Sequence, residues 1–146
     1  MKRLFVVVIC LLGISSGSLF AAGAGESVYF NGPTEYYYGT YYYSPNLQIR
    51  SGAPCFGCSS SQITSVYWHL SYSPQLTGQH AVLCALNIAC VDITSSLTYG
   101  YTTQFNGLPD NTVFFIRYYV TGGSGVLPTP YPVCGYNNYI IVNYTY

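Results

Sequence analysis

The side chains best suited to chemistry in this sequence are cysteines, and two of them, Cys55 and Cys58, form the motif CFGC. This spacing occurs in redox-active disulfides and in zinc sites. A redox-active pair needs a helix directly after it, but here the chain continues with SSSQITSVYW, which is serine-rich and then strand-like. Zinc would need a second ligand pair, and His69 and His80 do not have that spacing. We therefore expect a local Cys55–Cys58 disulfide, or a bridge from one of them to Cys134, and no metal or cofactor.

A second cysteine pair, Cys84 and Cys90, flanks the segment ALNIA. If that segment is the tip of a β-hairpin, the two cysteines face each other across antiparallel strands, where Cα atoms lie about 4.5–5.5 Å apart and a disulfide can form. We predict this disulfide, which would close a small loop and stabilise the fold by less than ~3 kcal/mol. The sequence leaves one cysteine of the exported chain without an assigned partner.

No sequence motif indicates an enzyme. The chain lacks the motifs G-x-S-x-G and H-E-x-x-H, and TGGSG leads into VLPTP instead of a phosphate-binding helix. Carboxylates occur at Glu26, Glu35, Asp92 and Asp110, but nothing in the sequence places two of them together, as a glycosidase requires. We predict a protein without catalytic residues.

The N-terminus has the pattern of a secretory signal peptide. Lys2 and Arg3 precede the apolar segment Leu4 to Leu12, and Ala22-Gly23-Ala24 fits the small-x-small cleavage pattern. We expect residues 1–24 to be removed and residues 25–146 to form one domain. The alternative is a membrane anchor, but the apolar stretch is shorter than the roughly 20 residues that a spanning helix needs. No second such segment follows, so we expect no stable membrane insertion after cleavage.

Charge is scarce throughout the chain, which has 5% charged residues and a formal net charge of +0. No lysine follows the predicted signal peptide. Nucleic-acid binding needs a basic surface to neutralise phosphates, so this class of function is excluded. Any partner would instead be contacted through tyrosines, backbone groups and apolar side chains.

The sequence after the signal peptide alternates as β-strands do. SVYWHLSY places Val66, Trp68 and Leu70 on one face, and TVFFIRYYV places Phe114 and Ile116 on the same face of a second strand. Short runs of this kind, about seven to nine of them, are separated by Gly, Pro, Asn and Ser. The pattern predicts an all-β fold, a single antiparallel β-sandwich of the immunoglobulin-like type.

All 18 tyrosines follow the predicted signal peptide, and the densest run is EYYYGTYYYSP at Glu35 to Pro45. A β-hairpin with one packed and one wet tyrosine face would explain this run. An adhesive binding surface would explain it equally well, because tyrosine offers a large contact area with little rotamer entropy to lose. The sequence leaves both interpretations open.

Several motifs in the second half of the chain resemble the FlhE family of periplasmic flagellar proteins. They are TSVYW, LCALNIACV, YTTQFNGLP, VTGGSGVLP and NNYIIVNY, and they occur in the family's order. The residues that match the family pattern are Thr64, Val66, Trp68, Thr102, Thr103, Phe105, Leu108, Pro109, Gly122, Gly123, Pro128, Ile141, Val142, Asn143 and Tyr144, together with the cysteine pair.

The chain departs from the family pattern at several places. Five residues separate Cys84 from Cys90, where the family pattern has four, and Thr121 stands where the family has proline. The tyrosine run, CFGC and Cys134 have no counterpart in that pattern. These differences indicate a distant or specialised member of the family and leave the identity of its partner open.

The resemblance implies a non-enzymatic periplasmic protein, accessory or chaperone-like, that acts on the flagellar export gate or on rod assembly and binds flagellar export or rod proteins. It also implies that the final strand, with Ile140, Val142 and Tyr144 facing one way, belongs to the sheet. A strand that ends the chain can be an edge open to another chain. Chosen by position and chemistry, the expected contact residues are Tyr37 and Tyr42 in the tyrosine run and Asn143 and Tyr144 in the final strand.

Two other functions fit the same composition. A secreted, tyrosine-rich structural or adhesive subunit would explain the tyrosines and the low charge, and it would form homo-oligomers. A carbohydrate-binding module would use aromatic faces to stack on sugars. The sequence has one tryptophan, Trp68, and its strand pattern places it in the core, which makes the carbohydrate-binding module the weaker alternative.

Overall fold

The strands that the structure describes form two antiparallel four-stranded sheets. The computed structural model describes residues 23–32, 38–49, 61–71, 77–125 and 137–145. The strands within these ranges are β1 (Gly23–Phe30), β2 (Tyr42–Tyr43), β3 (Gln62–His69), β4 (Gln79–Ala85), β5 (Ala89–Asp92), β6 (Tyr99–Thr102), β7 (Phe114–Val120) and β8 (Asn138–Thr145). One 3₁₀ turn, Thr94–Ser96, precedes β6.

The order of the strands is β1-β8-β3-β6 in the first sheet and β2-β7-β4-β5 in the second. All of these pairings are antiparallel. The predicted all-β sandwich is therefore confirmed. Within the described ranges, the structure contains no helix with the length and apolar character needed to cross a membrane.

Alternating side chains from both sheets fill the core. In β7, Phe114, Ile116, Tyr118 and Val120 are buried, whereas the residues between them are partly exposed. In β3, Val66 and Trp68 point into the same core. Period-two alternation of this kind is what a sheet with one packed face requires, so the strand faces predicted from the sequence are confirmed.

The C-terminal strand is a central strand of its sheet. β8 lies between β1 and β3 and pairs with both along its length. The expectation that it could be an edge open to another chain is wrong. Its core-facing residues Ile140, Val142 and Tyr144 are at most 2% exposed.

The predicted signal-peptide cut after Ala24 falls inside β1. Gly23 is paired with Thr145 and Ala24 with Tyr144. Cleavage there would remove the first two residues of the strand and leave the pairing from Gly25 to Phe30 intact. This cleavage site stays a prediction, because residues 1–22 lie outside the described ranges.

The cysteine hairpin has the predicted form. Cys84 and Cys90 are directly opposed in the β4–β5 pair and form a disulfide. Three residues make the tip, and Asn87 adopts a positive φ of 60°, a conformation that asparagine tolerates better than most residues. The longer spacing of the two cysteines is thus accommodated in the turn. Three other cysteines, Cys55, Cys58 and Cys134, lie outside the described residues.

The TGGSG segment bends at Gly122 and Gly125 directly after β7, and Gly122 has a φ of 90° that favours glycine there. Thr121 precedes it at the position where the family pattern has proline. The Thr121 N–H donates to the Gly78 carbonyl oxygen at 2.8 Å, and its hydroxyl donates to the same oxygen. A proline could not make the first of these bonds, so this turn is anchored differently here.

Trp68 requires a glycine on the neighbouring strand. Gly100 is its cross-strand partner, and a Cβ atom built at Gly100 would overlap the indole ring. The ring is held in place from its other end, because Nε1 donates a hydrogen bond to the Ser96 carbonyl oxygen at 2.8 Å. The indole therefore has little freedom to move away from an added side chain.

Substitution of Gly100→Ala should destabilise the fold by about 1–3 kcal/mol, the usual cost of overpacking a core. The measurement is urea unfolding followed by the fluorescence of Trp68, the one tryptophan in the chain. Ser27→Ala, on the exposed surface of β1, serves as the control and should change stability little. A Gly100→Ala protein as stable as the wild type would show that the ring is free to shift.

Removal of the hairpin disulfide by the double substitution Cys84→Ala and Cys90→Ala should lower the free energy of unfolding by about 2 kcal/mol, because the bridge closes a short loop in the unfolded chain. Urea unfolding with and without a thiol reductant measures this loss. Equal stability of the double variant and the oxidised wild type would contradict the assigned role of the bridge.

Candidate functional site

The outer surface of the first sheet carries a group of aromatic side chains. We call this group the tyrosine face, and it consists of Tyr29, Tyr67, His69, Tyr99, Tyr101 and Tyr139. Each of these residues occupies the strand position opposite to a core position, because neighbouring side chains of a strand point to opposite sides of the sheet. The same alternation that fills the core therefore builds this surface.

Strand register arranges the tyrosine face in two rows that cross all four strands. The first row pairs Tyr29 with Tyr139, Tyr139 with His69, and His69 with Tyr99. Its outermost strands lie about 14 Å apart, since neighbouring strands are spaced by about 4.8 Å. The row is thus a continuous band of four rings across the whole sheet.

The second row lies next to the first and has the same direction. It runs from Ser27 through Ile141 and Tyr67 to Tyr101. The side chains in this row are apolar or carry a hydroxyl group, so it extends the uncharged surface of the first row.

Ring contacts between neighbouring strands hold these side chains in place. The rings of Tyr67 and Tyr101 stack with centroids 5.3 Å apart and an interplanar angle of 25°. His69 and Tyr139 stack at 5.1 Å and 12°, and Tyr29 packs on Tyr139 at 5.3 Å with a tilt of 50°. Offset or tilted contacts of this kind are favourable for aromatic pairs, which limits the side-chain entropy that binding would still cost.

The tyrosine face is well exposed in spite of these contacts. Tyr29 is 68% exposed, Tyr99 74% and Tyr101 64%, whereas Tyr67 is 42% exposed. Neither row contains an aspartate, glutamate, lysine or arginine. Aromatic enrichment with depletion of charge is the composition of the central part of protein–protein interfaces, so this surface is suited to bind another macromolecule.

The described residues offer no metal site. No three His, Cys, Asp or Glu side chains in the described ranges are close enough together to hold a metal ion. The polar groups of the tyrosine face are phenol hydroxyls and one imidazole, which suits this surface to hydrogen bonding and packing against another molecule.

Comparison with known proteins identifies the family. Residues 32–145 match the family model of the flagellar protein FlhE, which is most of the chain. The chain belongs to the FlhE family. A crystal structure of FlhE shares its fold with a TM-score of 0.70 and 25% sequence identity, and the alignment covers 86% of this chain and 100% of that chain. No curated protein matches the sequence.

The motif residues of this FlhE-family chain are mostly structural. Val66, Trp68, Thr102, Phe105, Val142 and Tyr144 are buried. Thr102 Oγ1 accepts a hydrogen bond from the Gln104 N–H at 3.2 Å, and the carbonyl oxygen of Pro109 accepts one from Thr112 Oγ1 at 2.6 Å. These residues form turns and core, and Pro128 lies outside the described ranges.

Other motif residues lie at the surface or partly so. They are Thr64, Thr103, Gly122, Gly123, Ile141 and Asn143. Gly123 lies under the Tyr38 ring, where a Cβ atom would overlap that ring. The motif glycine thus allows the Tyr38 ring to pack directly on the backbone in this FlhE-family fold.

Two of the contact residues expected from the sequence, Tyr144 and Tyr42, pack in or against the core. Tyr144 is 2% exposed, so its predicted role as a partner contact is wrong. Tyr42 packs against the core, whereas its neighbours Tyr41 and Tyr43 are 54% and 58% exposed. Alternation within the tyrosine run therefore exposes Tyr41 and Tyr43, the neighbours of the predicted contact residue Tyr42. Tyr37 lies outside the described residues.

Asn143 lies on the same side of β8 as Tyr139 but has local structural contacts. Its Nδ2 atom donates a hydrogen bond to Ser65 Oγ at 3.1 Å. Its side chain also covers Gly25 on the other side, where a Cβ atom would collide with it. Asn143 thus links β8 to both neighbouring strands, and its role as a partner contact stays a prediction.

The residues that sequence reasoning missed are Tyr29, Tyr99, Tyr101 and Tyr139. Each is a tyrosine next to a glycine or an apolar residue in a short strand-like segment. This signal was present in the sequence, but it gave no information on strand order. Only the pairing of β1, β8, β3 and β6 shows that the tyrosines share one surface.

The outer surface of the second sheet differs because it contains charged and titratable groups. His80 stacks on Tyr119 with centroids 4.6 Å apart. At the edge strand, Asp92 Oδ1 accepts a hydrogen bond from the Thr94 N–H at 2.8 Å. Hydrogen bonds from the side chain and backbone of Thr94, with a smaller contribution from nearby His80, hold the pKa of the Asp92 carboxyl below its usual range.

The Asp92 contact should make stability depend on acid pH. The pKa of Asp92 is lower in the folded state than in the unfolded state, so the contact stabilises the fold at pH values above the unfolded pKa of about 3.9. This stabilisation is lost as the pH falls through the pKa of Asp92 in the folded state. Asp92→Asn should therefore be less stable than wild type near neutral pH, and the difference should shrink in acid. Urea unfolding at several pH values tests this, and a difference independent of pH would contradict it.

Proposed function

We propose that this FlhE-family protein is a non-enzymatic periplasmic accessory protein, chaperone-like in its action, that works at the flagellar export gate or in rod assembly. It binds a protein component of that system through the tyrosine face. The observation that carries this proposal is the pair of uncharged aromatic rows across the first sheet, in a chain that belongs to a flagellar protein family.

The hairpin disulfide supports an exported location. Disulfides persist in oxidising compartments such as the bacterial periplasm and are rare in the cytosol. The Cys84–Cys90 bridge therefore suits a protein that is exported by the predicted signal peptide. A periplasmic location would place the tyrosine face on the side of the membrane where the rod is assembled.

Geometry favours a protein partner over a glycan. Sugars stack on the open faces of aromatic rings, but the rings of Tyr67 and Tyr101, and those of His69 and Tyr139, cover one another in stacked pairs. In these two pairs, each ring thus has one face covered by its neighbour. A protein surface, which offers apolar side chains and backbone hydrogen-bonding groups, complements such rings and their hydroxyls.

The test is complementation of a deletion strain with a variant of the tyrosine face. The combined substitution Tyr29→Ser, Tyr99→Ser and Tyr101→Ser removes three well-exposed rings without entering the core. Loss of central interface aromatics typically costs more than about 1 kcal/mol each, so binding should weaken at least tenfold and the variant should fail to restore normal flagellation.

Tyr41→Ser is the control, because Tyr41 is 54% exposed and lies away from the tyrosine face, where it contacts Tyr119 of the second sheet. The control should restore flagellation, and thermal unfolding should show that both variants are folded. Full complementation by the folded triple variant would refute the assignment of the tyrosine face. A deletion strain with normal flagella and normal proton handling would refute the flagellar role.

The uncharged surface also fits self-association, which is the second candidate function. Two copies of the tyrosine face would meet without like-charge repulsion, as in a symmetric homodimer. Analytical ultracentrifugation of the exported chain at high concentration separates the candidates. A monomer argues against a structural subunit, whereas an oligomer that the triple substitution dissociates would favour it.

A further inference from the structure

A cleft lies on the second sheet, on the opposite side of the sandwich from the tyrosine face. We call it the hairpin cleft, and it is lined by Tyr43, Ser44, Asn46, Leu86 and Phe115. It is a shallow, open depression of about 310 Å³, which is enough space for a large apolar side chain. Most of its wall is apolar, because Tyr43, Leu86 and Phe115 contribute it.

Neighbouring contacts hold the walls of the hairpin cleft in position. The Tyr43 and Phe115 rings pack at 6.0 Å with a tilt of 50°. Leu86 is 41% exposed, and its N–H donates to the Val113 carbonyl oxygen at 2.8 Å. Leu86 is two residues after the disulfide-bonded Cys84. Cys84 lies opposite Phe115 in the β4–β7 pair. The cleft is therefore formed before any ligand arrives, which lowers the entropy cost of binding.

A positive charge lies next to the hairpin cleft. Arg117 follows Phe115 by two positions on β7, so both side chains lie on the outer surface of the second sheet. The Arg117 guanidinium carbon is 5.3 Å from the centre of the Tyr41 ring. Its Nε atom is buried and has no hydrogen-bond partner among the described residues.

The nearest acidic group on this sheet is occupied elsewhere. Asp92 is separated from Arg117 by β4, since Val82 pairs with both residues. This places the two backbones about 10 Å apart, two strand spacings. The Asp92 carboxylate is bound to Thr94 instead. In the described part of the molecule, the cation is therefore available to a carboxylate from outside.

The spacing of the two features selects the ligand. Residues two apart on one face of a strand are separated by about 7 Å, both in β7 and in any extended peptide that lies along it. Arg117 leans toward Tyr41 and so away from the cleft, which favours the longer glutamate over aspartate in the ligand. We propose that this site binds an extended protein segment that places a large apolar side chain in the hairpin cleft and a glutamate, two residues later, against Arg117.

A second copy of this chain does not supply that ligand from its described strands. Their one glutamate is Glu26, and the residue two positions before it is the small Ala24. A different protein is therefore the expected source of the segment. The proposal does not depend on the flagellar role, because the site lies on the other sheet from the tyrosine face.

The test is a titration of the ¹⁵N-labelled exported chain with the blocked peptide Thr-Phe-Thr-Glu-Thr, followed by NMR. We expect shifts of the amide signals of Tyr43, Leu86 and Arg117. Arg117→Gln should weaken binding at least tenfold, and Leu86→Asn, at the exposed hairpin tip, should weaken it independently of charge. Tyr99→Ser, on the tyrosine face, is the control and should bind as well as the wild type.

Matched peptides complete the experiment. Replacement of the peptide's glutamate by glutamine should weaken binding to the wild type as much as Arg117→Gln does, and it should have no further effect on that variant, which is the signature of a direct pair. Replacement of its phenylalanine by alanine should abolish binding.

Four results would overturn the proposal. They are equal binding of the glutamine peptide, an absence of any shift, shifts confined to the tyrosine face, and shifts of the cleft signals with protein concentration alone. The last of these would identify a second copy as the occupant. Since none of them involves flagellation, failure here is distinguishable from failure of the proposed function.

Discussion

The pairing of β8 with both β1 and β3 is the constraint on which the rest of the structure depends. Side chains of β8 alternate between the core and the outer surface, and a slip of one residue would exchange the two sets. Burial of Ile140, Val142 and Tyr144 fixes the register. The same register places Tyr139 beside Tyr29 and His69, so the core and the tyrosine face are two consequences of one pairing.

Alternation and turn residues made the strands predictable, but one irregularity was not. The faces of β7 and β8 and the cysteine hairpin follow directly from their sequences, because each depends on local spacing. In β3, Ile63 and Val66 are three residues apart and yet both are buried, because the register shifts between Ile63 and Ser65. Such a bulge brings a different residue onto the core face, and strict alternation from Trp68 would have placed Thr64 there instead.

The binding surfaces were less predictable because they depend on strand order. Tyr144 is expected at the surface if a terminal strand is an edge, but β8 is central and the Tyr144 side chain lies on its core face. Conversely, Tyr29 and Tyr99 are 70 residues apart in sequence numbering and share one row only because β8 and β3 lie between their strands. The dense tyrosine run does not contribute to the tyrosine face. Its strand residues Tyr42 and Tyr43 belong to the second sheet, where Tyr43 lines the hairpin cleft.

With the binding roles proposed above, the two outer surfaces of the sandwich would recognise their partners by different physical means. The tyrosine face has no charge in either row, so electrostatic steering of its partner is weak, and specificity must come from the shape of rings fixed by stacking. The second sheet combines an apolar cleft with Arg117, whose charge can fix the direction and register of an extended segment that apolar contact alone would leave free to slide. In a chain with 5% charged residues, the one described arginine thus lies beside the cleft whose proposed ligand carries the opposite charge.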